Sequence, residues 1–381
     1  MTDSTPGARA HAAFMASNFF SSLNGVRALC ALVVVKEHVQ WRLPLPQLFE
    51  WGFLGVDMFF VISGFLIVTL LLRERDRSGA IDLRAFYVRR TLRIFPIYYL
   101  VISLLFLTAI ATYGHSTKTW ELYKWSFPIF LIYAQDLIPV SMGLMFHTWS
   151  LAMEEQFYLV WPTIERFFKS AWVVPLILAS LALNQAFNFG FFAPTLTALY
   201  GSAEDANRAI FQITFTPILL GVLAAHGMHD KSFGPRMAGA VLGRWMPMWL
   251  LLAAVAVCQL GTELQGATRL GVHLLFCALL LSLIVNPAHV FSKLLNSRPL
   301  VFLGTISYGL YLYHTFVIQI VVKLAATRGW VLAPALLFGV VAAASTALAA
   351  LSFRFFERPA MRLKHRFEPG GGHAAAGAHM S

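Results

Sequence analysis

The stretch GFLGVDMFFVISGFLIVTLLLRERDR, residues 52–77, decides the fold. Up to Leu72 it carries one charge, Asp57, and it then runs straight into Arg73, Arg75 and Arg77. About 20 predominantly apolar residues are what an α-helix needs to cross a bilayer. A block of arginines at one end is what the positive-inside rule assigns to the cytoplasmic side. One such segment followed by a basic loop reads as a transmembrane helix whose far end bears Asp57.

Working outward, the pattern recurs along the whole chain of 381 residues, of which 58% are hydrophobic and 12% charged. A soluble domain carries about 25% charged residues. Apolar spans are expected near 26–42, 53–72, 94–112, 148–166, 171–189, 208–226, 246–262, 268–286, 300–323 and 331–353. The fold class is therefore an all-α polytopic membrane bundle of about ten helices. The block WSFPIFLIYAQDLIP (125–139) is apolar but short, with proline near both ends. Arg84, Arg89, Arg90 and Arg93, Lys231, Arg236 and Arg244, Lys293 and Arg298, and Arg354 to Arg366 all fall on one side only if 125–139 does not cross. It is read as a re-entrant or interfacial piece, which membranes tolerate where protein buries it. Both termini then face the cytoplasm, and the protein is a multi-pass component of the cytoplasmic membrane.

Residues 1–22 are expected to be a flexible cytoplasmic tail, 23–362 the membrane domain, and 363–381 a basic and then disordered tail. No cleaved leader is visible. The net charge of +11 lies between apolar blocks, so lipid headgroups and an anionic cofactor are the expected partners, and nucleic acid is not. Cys30, Cys258 and Cys277 are far apart, without metal or disulfide spacing. His373 and His379 offer only a weak metal-binding alternative, so no metal site is expected. Oligomeric state is not legible.

Several intramembrane polar residues stand out, because ionisable groups there are costly and mark function by default. Arg27 and His38 share a helix face about 16 Å apart along the axis, and histidine is the side chain best suited to act as a base near neutral pH. Asp57 is placed to orient that imidazole. In RRTLRIFPIYYL, Arg90 and Arg93 present one cationic face suited to phosphate. In HTWSLAMEEQFYLVWP, His147, Ser150, Glu154 and Tyr158 fall on one face, and Glu154 is the better inward carboxyl. In ISYGLYLYH, Ser307, Tyr311 and His314 do the same. The plainer alternatives stay open at this stage: interfacial anchors for Arg27, Arg90 and Arg93, packed core histidines for His38 and His314, and wet interfacial carboxylates for Asp57 and Glu154. Gly52, Gly55 and Gly64 suggest close helix packing.

Taken in order, LNGVRALCALVVVKEHV, GFLGVDMFFVISGFLI, RRTLRIFPIYYL, HTWSLAMEEQFYLVWP, ISYGLYLYH and FFERPAMRL resemble the acyltransferase 3 family of integral membrane O-acyltransferases, from about residue 23 to 362. The resemblance implies an arginine and a histidine with ten residues between them, matched by Arg27 and His38, the latter catalytic. It implies an Arg-x-x-Arg pair, matched by Arg90 and Arg93, and a Trp-Ser-Leu-x-x-Glu motif, matched by Trp149, Ser150, Leu151 and Glu154. The expected activity is transfer of an acyl group, acetyl above all, from cytoplasmic acyl-CoA to a hydroxyl of a cell-envelope carbohydrate. The alternatives are acylation of a small molecule such as a macrolide, or a transporter or flippase of lipid-linked sugar. A transporter should show inverted repeats, and none is visible. His38, Glu154 and Asp57 are the expected catalytic group. Arg27, Arg90 and Arg93 would hold the acyl-CoA donor, with no bound cofactor. Trp149, Ser150, Tyr158, Tyr311 and His314 would meet the acceptor or the oxyanion. Ending at Ser381, the sequence is read as the stand-alone form without a hydrolase-like domain.

Overall fold

The computed structural model describes residues 5–17, 20–42, 46–113, 118–137, 143–212, 214–260 and 264–363, and among them it is helical, with no strand. The chain order is α1 (Pro6–Ala16), α2 (Ser22–His38), α3 (Gln47–Glu50), α4 (Phe53–Ser78), α5 (Leu83–Tyr113), α6 (Lys118–Leu131), α7 (Trp149–Phe167), α8 (Ser170–Asn188), α9 (Ala193–Tyr200) and α10 (Ala203–Gln212). There follow α11 (Thr216–His229), α12 (Gly234–Val241), α13 (Met246–Gln259), α14 (Gly266–Val285), α15 (Ser292–Leu295), α16 (Arg298–Thr305), α17 (Ser307–Thr327), α18 (Pro334–Ser352) and α19 (Arg358–Arg362).

Seven helices among the described residues are long and apolar enough to cross a membrane, or eight if α12 and α13, bent by 79° at their junction, count as one broken span. The two other expected spans coincide with α2 and α7. The first has 17 residues, and the second carries Glu154, Glu155, Glu165 and Arg166. α6 has 14 residues with Pro128 inside it, about 21 Å of helix, which is too short to cross. A turn at Gln135–Leu137 follows it, and residues 138 and 139 of the expected re-entrant block lie outside the described residues.

The core of the bundle is α4 against α11. Gly64 lies on the Ile218 carbonyl and Gly221 on the Val61 carbonyl, so that a Cβ at either position would strike the partner's backbone. Small residues at such crossings let two backbones meet where lipid supplies no hydrophobic drive. α2 is held in the same way, with Gly55 of α4 against the Cys30 carbonyl and Gly304 of α16 against Asn24. These contacts fix the two helices that carry Arg27, His38, Asp57 and Ser63. α8 and α18 leave most of their apolar surface uncovered.

Within the expected N-terminal tail, residues 6–16 form a docked helix. Thr5 caps α1, with Pro6 at its first position. Arg73 then donates to the Phe14 carbonyl at 2.8 Å and to the Ser17 carbonyl, with its guanidinium over the Phe14 ring at 4.9 Å. A cation at a helix C-terminus meets otherwise unpaired carbonyls and the negative end of the dipole. The arginine read as a topology signal thus also docks the N-terminal helix. The tail beyond Leu363, with His373 and His379, lies outside the described residues.

Candidate active site

Five helices converge on one cavity of about 110 Å³. α2 contributes Arg27, α5 contributes Arg90 and Arg93, α7 contributes Ser150, Glu154 and Tyr158, and α17 contributes Ser307, Tyr308 and Tyr311, with Ser63 of α4 closing one wall. The Glu154 Oε1 accepts hydrogen bonds from the Ser63 and Tyr158 hydroxyls. The Arg90 guanidinium lies over the Tyr158 ring at 4.5 Å. Arg89, next along the chain, turns away to Glu74 at 3.3 Å. Three guanidinium groups therefore face one carboxylate among the described lining residues. In a low-dielectric setting that excess of positive charge favours an anion, and guanidinium forks match phosphate oxygens.

Beyond the arginines the polar lining continues. Ser150 Oγ and Tyr311 OH are 2.7 Å apart, and Tyr311 OH donates to the His147 carbonyl at 2.6 Å. Behind Tyr311 stand three imidazoles. His38 and His314 meet edge to face with ring centroids 4.8 Å apart, and His147 lies 5.1 Å from His314. His38 Nδ1 donates to the Val34 carbonyl at 2.9 Å, and His314 Nδ1 to the Tyr311 carbonyl at 2.5 Å. A carbonyl can only accept, so both rings carry hydrogen on Nδ1 and keep a lone pair on Nε2. His314 is fully buried, and its Nε2 has no hydrogen-bond partner. No group of side chains among the described residues is arranged to hold a metal ion.

The structure brings Arg27, Arg90, Arg93, Ser150, Glu154, Tyr158 and Tyr311 together and seats His38 beside His314. It does not bring Asp57 to His38. Asp57 is 1% exposed and is held by Arg269 at 3.2 Å and His273 at 2.8 Å, both on α14. A buried carboxylate needs a charged, hydrogen-bonded partner, and α14 supplies it on the opposite face of α4. The expected orienting role for Asp57 is not formed. The hydrogen bonds of Glu154 likewise go to Ser63 and Tyr158, leaving it with the arginines. Trp149 packs on Phe60 and Phe211 as a wall and does not line the cavity.

Sequence reasoning passed over Ser63, Tyr308 and the Arg269–His273 pair. The signal for the last was present, since TRLGVHLLF places an arginine and a histidine four apart inside an apolar run, and such residues call for a partner. Nothing in the sequence near Ser63 sets it apart from any helical serine.

A family model described as an acyltransferase domain matches residues 20–354. Peptidoglycan O-acetyltransferase OatA of Listeria monocytogenes is 29% identical over 366 residues, covering 90% of this chain and 56% of that protein. A putative O-acetyltransferase of Staphylococcus aureus strain COL is 27% identical, covering 90% and 57%. O-acetyltransferase OatA of S. aureus strain NCTC 8325 is 26% identical over 363 residues, with the same coverage. The chain spans a little over half the length of these relatives. No solved structure matches it. The chain belongs to the acyltransferase 3 family.

Proposed function

We propose that this member of the acyltransferase 3 family transfers an acetyl group from acetyl-CoA to a hydroxyl of a cell-wall carbohydrate, with His38 as general base. The observation that carries the reading is the convergence of Arg27, Arg90 and Arg93 on one cavity also lined by Ser150 and Tyr311, with the Tyr311 ring packed against His314 and His314 against His38. The names of the relatives support the acetyl group and the cell-wall acceptor. The basic loops support a cytoplasmic site of donor entry, with both termini on that side of the cytoplasmic membrane.

In this reading the arginines bind the phosphates of CoA. The cavity of about 110 Å³ is far smaller than the roughly 300–1,000 Å³ of a drug-sized ligand site. It takes the slender pantetheine end, with the phosphates at the arginines and the adenosine left outside. His38, held by the Val34 carbonyl, presents the Nε2 lone pair. It removes the proton of the acceptor hydroxyl as that oxygen attacks the thioester carbonyl carbon. The C–S bond then breaks, and the departing CoA thiolate takes the proton back from His38. His314 packs edge-on against that ring.

The test is transfer from radiolabelled acetyl-CoA in inverted membrane vesicles, comparing wild type with His38→Ala at matched protein level. A positioned general base contributes about 10²–10⁴-fold, so the variant is expected to lose that much while still binding acetyl-CoA. Transfer within threefold of wild type by folded His38→Ala would remove His38 from the chemistry.

A further inference from the structure

The ion pair that draws Asp57 away from His38 forms the wall of a second cavity. Arg269 is 5% exposed. Its Nε and Nη2 donate to Asp57 at 3.2–3.4 Å, while its Nη1 has no hydrogen bond to any described residue. The ring of Phe211 covers the guanidinium at 4.5 Å and that of Phe53 at 5.5 Å. The cavity is about 210 Å³ and is lined besides by Asn188, Asn207, Gln265, Phe187 and Phe189. It lies where α8 ends and α14 begins, at the membrane face opposite the arginine-rich end of α4. Phe211 packs on Trp149 at 5.4 Å, and the next residue, Ser150, lines the active-site cavity. One aromatic layer separates the two.

The chemistry of this cavity selects its ligand. Asp57 neutralises Arg269, and no other charged side chain among the described residues lines the space. A phosphate or carboxylate would therefore find no net countercharge. Amide side chains both donate and accept hydrogen bonds, as sugar hydroxyls do, and aromatic faces suit the apolar face of a sugar ring. The volume falls below that of a drug-sized site and suits one pyranose ring.

We propose that this cavity is an acceptor subsite holding one uncharged sugar residue of the acceptor glycan. It rests on the reading of the chain as a carbohydrate O-acetyltransferase. Asp57 then acts as a positioning residue that orients Arg269.

The experiment uses the full chain in nanodiscs and two uncharged probes, chitotetraose and maltotetraose. Asn207 is on the exposed side of α10, so Asn207→Trp fills the cavity from its rim without disturbing the core. The expected result is binding of at least one probe by wild type, weakened tenfold or more in Asn207→Trp, with acetyl-CoA affinity unchanged. Equal affinity in both proteins, or no binding of either probe to wild type at millimolar concentration, overturns the subsite. The two proposals separate cleanly. Glycan acetylation by Asn207→Trp with an unaltered acceptor KM removes the subsite and leaves the enzyme. Wild type that binds a probe through this cavity but never transfers acetyl leaves the subsite and removes the enzyme.

Discussion

At the scale of single residues, what matters is which partner each charge finds. Arg90 and Arg89 are neighbours in sequence, yet Arg89 is paired with Glu74 while Arg90 faces Tyr158 in the cavity. The difference follows from the helix, which turns successive residues by about 100°. Arg93, one turn beyond, rejoins the face of Arg90. The proposed phosphate clamp depends on the fork of the guanidinium, because lysine keeps the charge but loses paired donation. Arg93→Lys is therefore expected to raise the Kd for acetyl-CoA by about tenfold, since one charge-assisted hydrogen bond is worth about 1.5–3 kcal/mol. Equilibrium binding to the purified protein checks this, and an unchanged Kd would take Arg93 out of the clamp. The catalytic candidates were readable from residue type and spacing, as with Arg27 and His38 on one face. The partners were not. His314 next to His38, and Arg269 in place of His38 for Asp57, are pairings between residues far apart in sequence.

At the scale of elements, a short turn shows how the fold stores a cost. The 3₁₀ turn Gln135–Leu137 follows α6 and buries Asp136, which is 1% exposed. Gln156 of α7 donates to its Oδ1 at 2.8 Å, and Oδ2 has no partner. Burial pushes this carboxyl up to about 6, against about 4 for an ordinary aspartate. A raised carboxyl pKa means that folding favours the protonated form. Stability is therefore lost as pH rises from about 4 through 6, and the full penalty holds above it. Asp136→Asn keeps the acceptor for Gln156 and removes the charge. The unfolding midpoint of the variant is expected to exceed that of wild type at pH 8, with the gap nearly closed at pH 3.5. Thermal unfolding in detergent at the two pH values measures this, and an equal gap at both would exclude the titration of Asp136 as the cause. The turn also marks where element prediction from hydropathy stops. The block 125–139 is as apolar as many spans, and only its prolines and the charge count across distant loops set it apart.

For the whole molecule, the positions of the polar groups along the helices set one face against the other. Lys231 follows α11 at the end of the bundle that holds Arg75, whereas Asn207 sits at the opposite end beside Arg269. In a cysteine-free background, Lys231→Cys is expected to react with a membrane-impermeant maleimide only from the cytoplasmic side, and Asn207→Cys only from the outer side. Labelling of each from the opposite side would invert the proposed topology, and labelling of both from one side would refute their placement at opposite ends. The sequence by itself determined that the chain is a helical membrane bundle, where most of its helices lie and which family it joins. Bilayer thickness and the penalty for a charge in lipid act on each segment locally, so they leave their mark in the linear order of residues. Only the tertiary structure decided that α1 is a docked helix held by Arg73, that Asp57 serves Arg269, and that His38 meets His314. Those outcomes depend on which faces of separate helices meet. Backbone contacts at Gly55, Gly64, Gly221 and Gly304 fix them, and hydropathy and spacing along one chain do not encode the angle at which two helices cross.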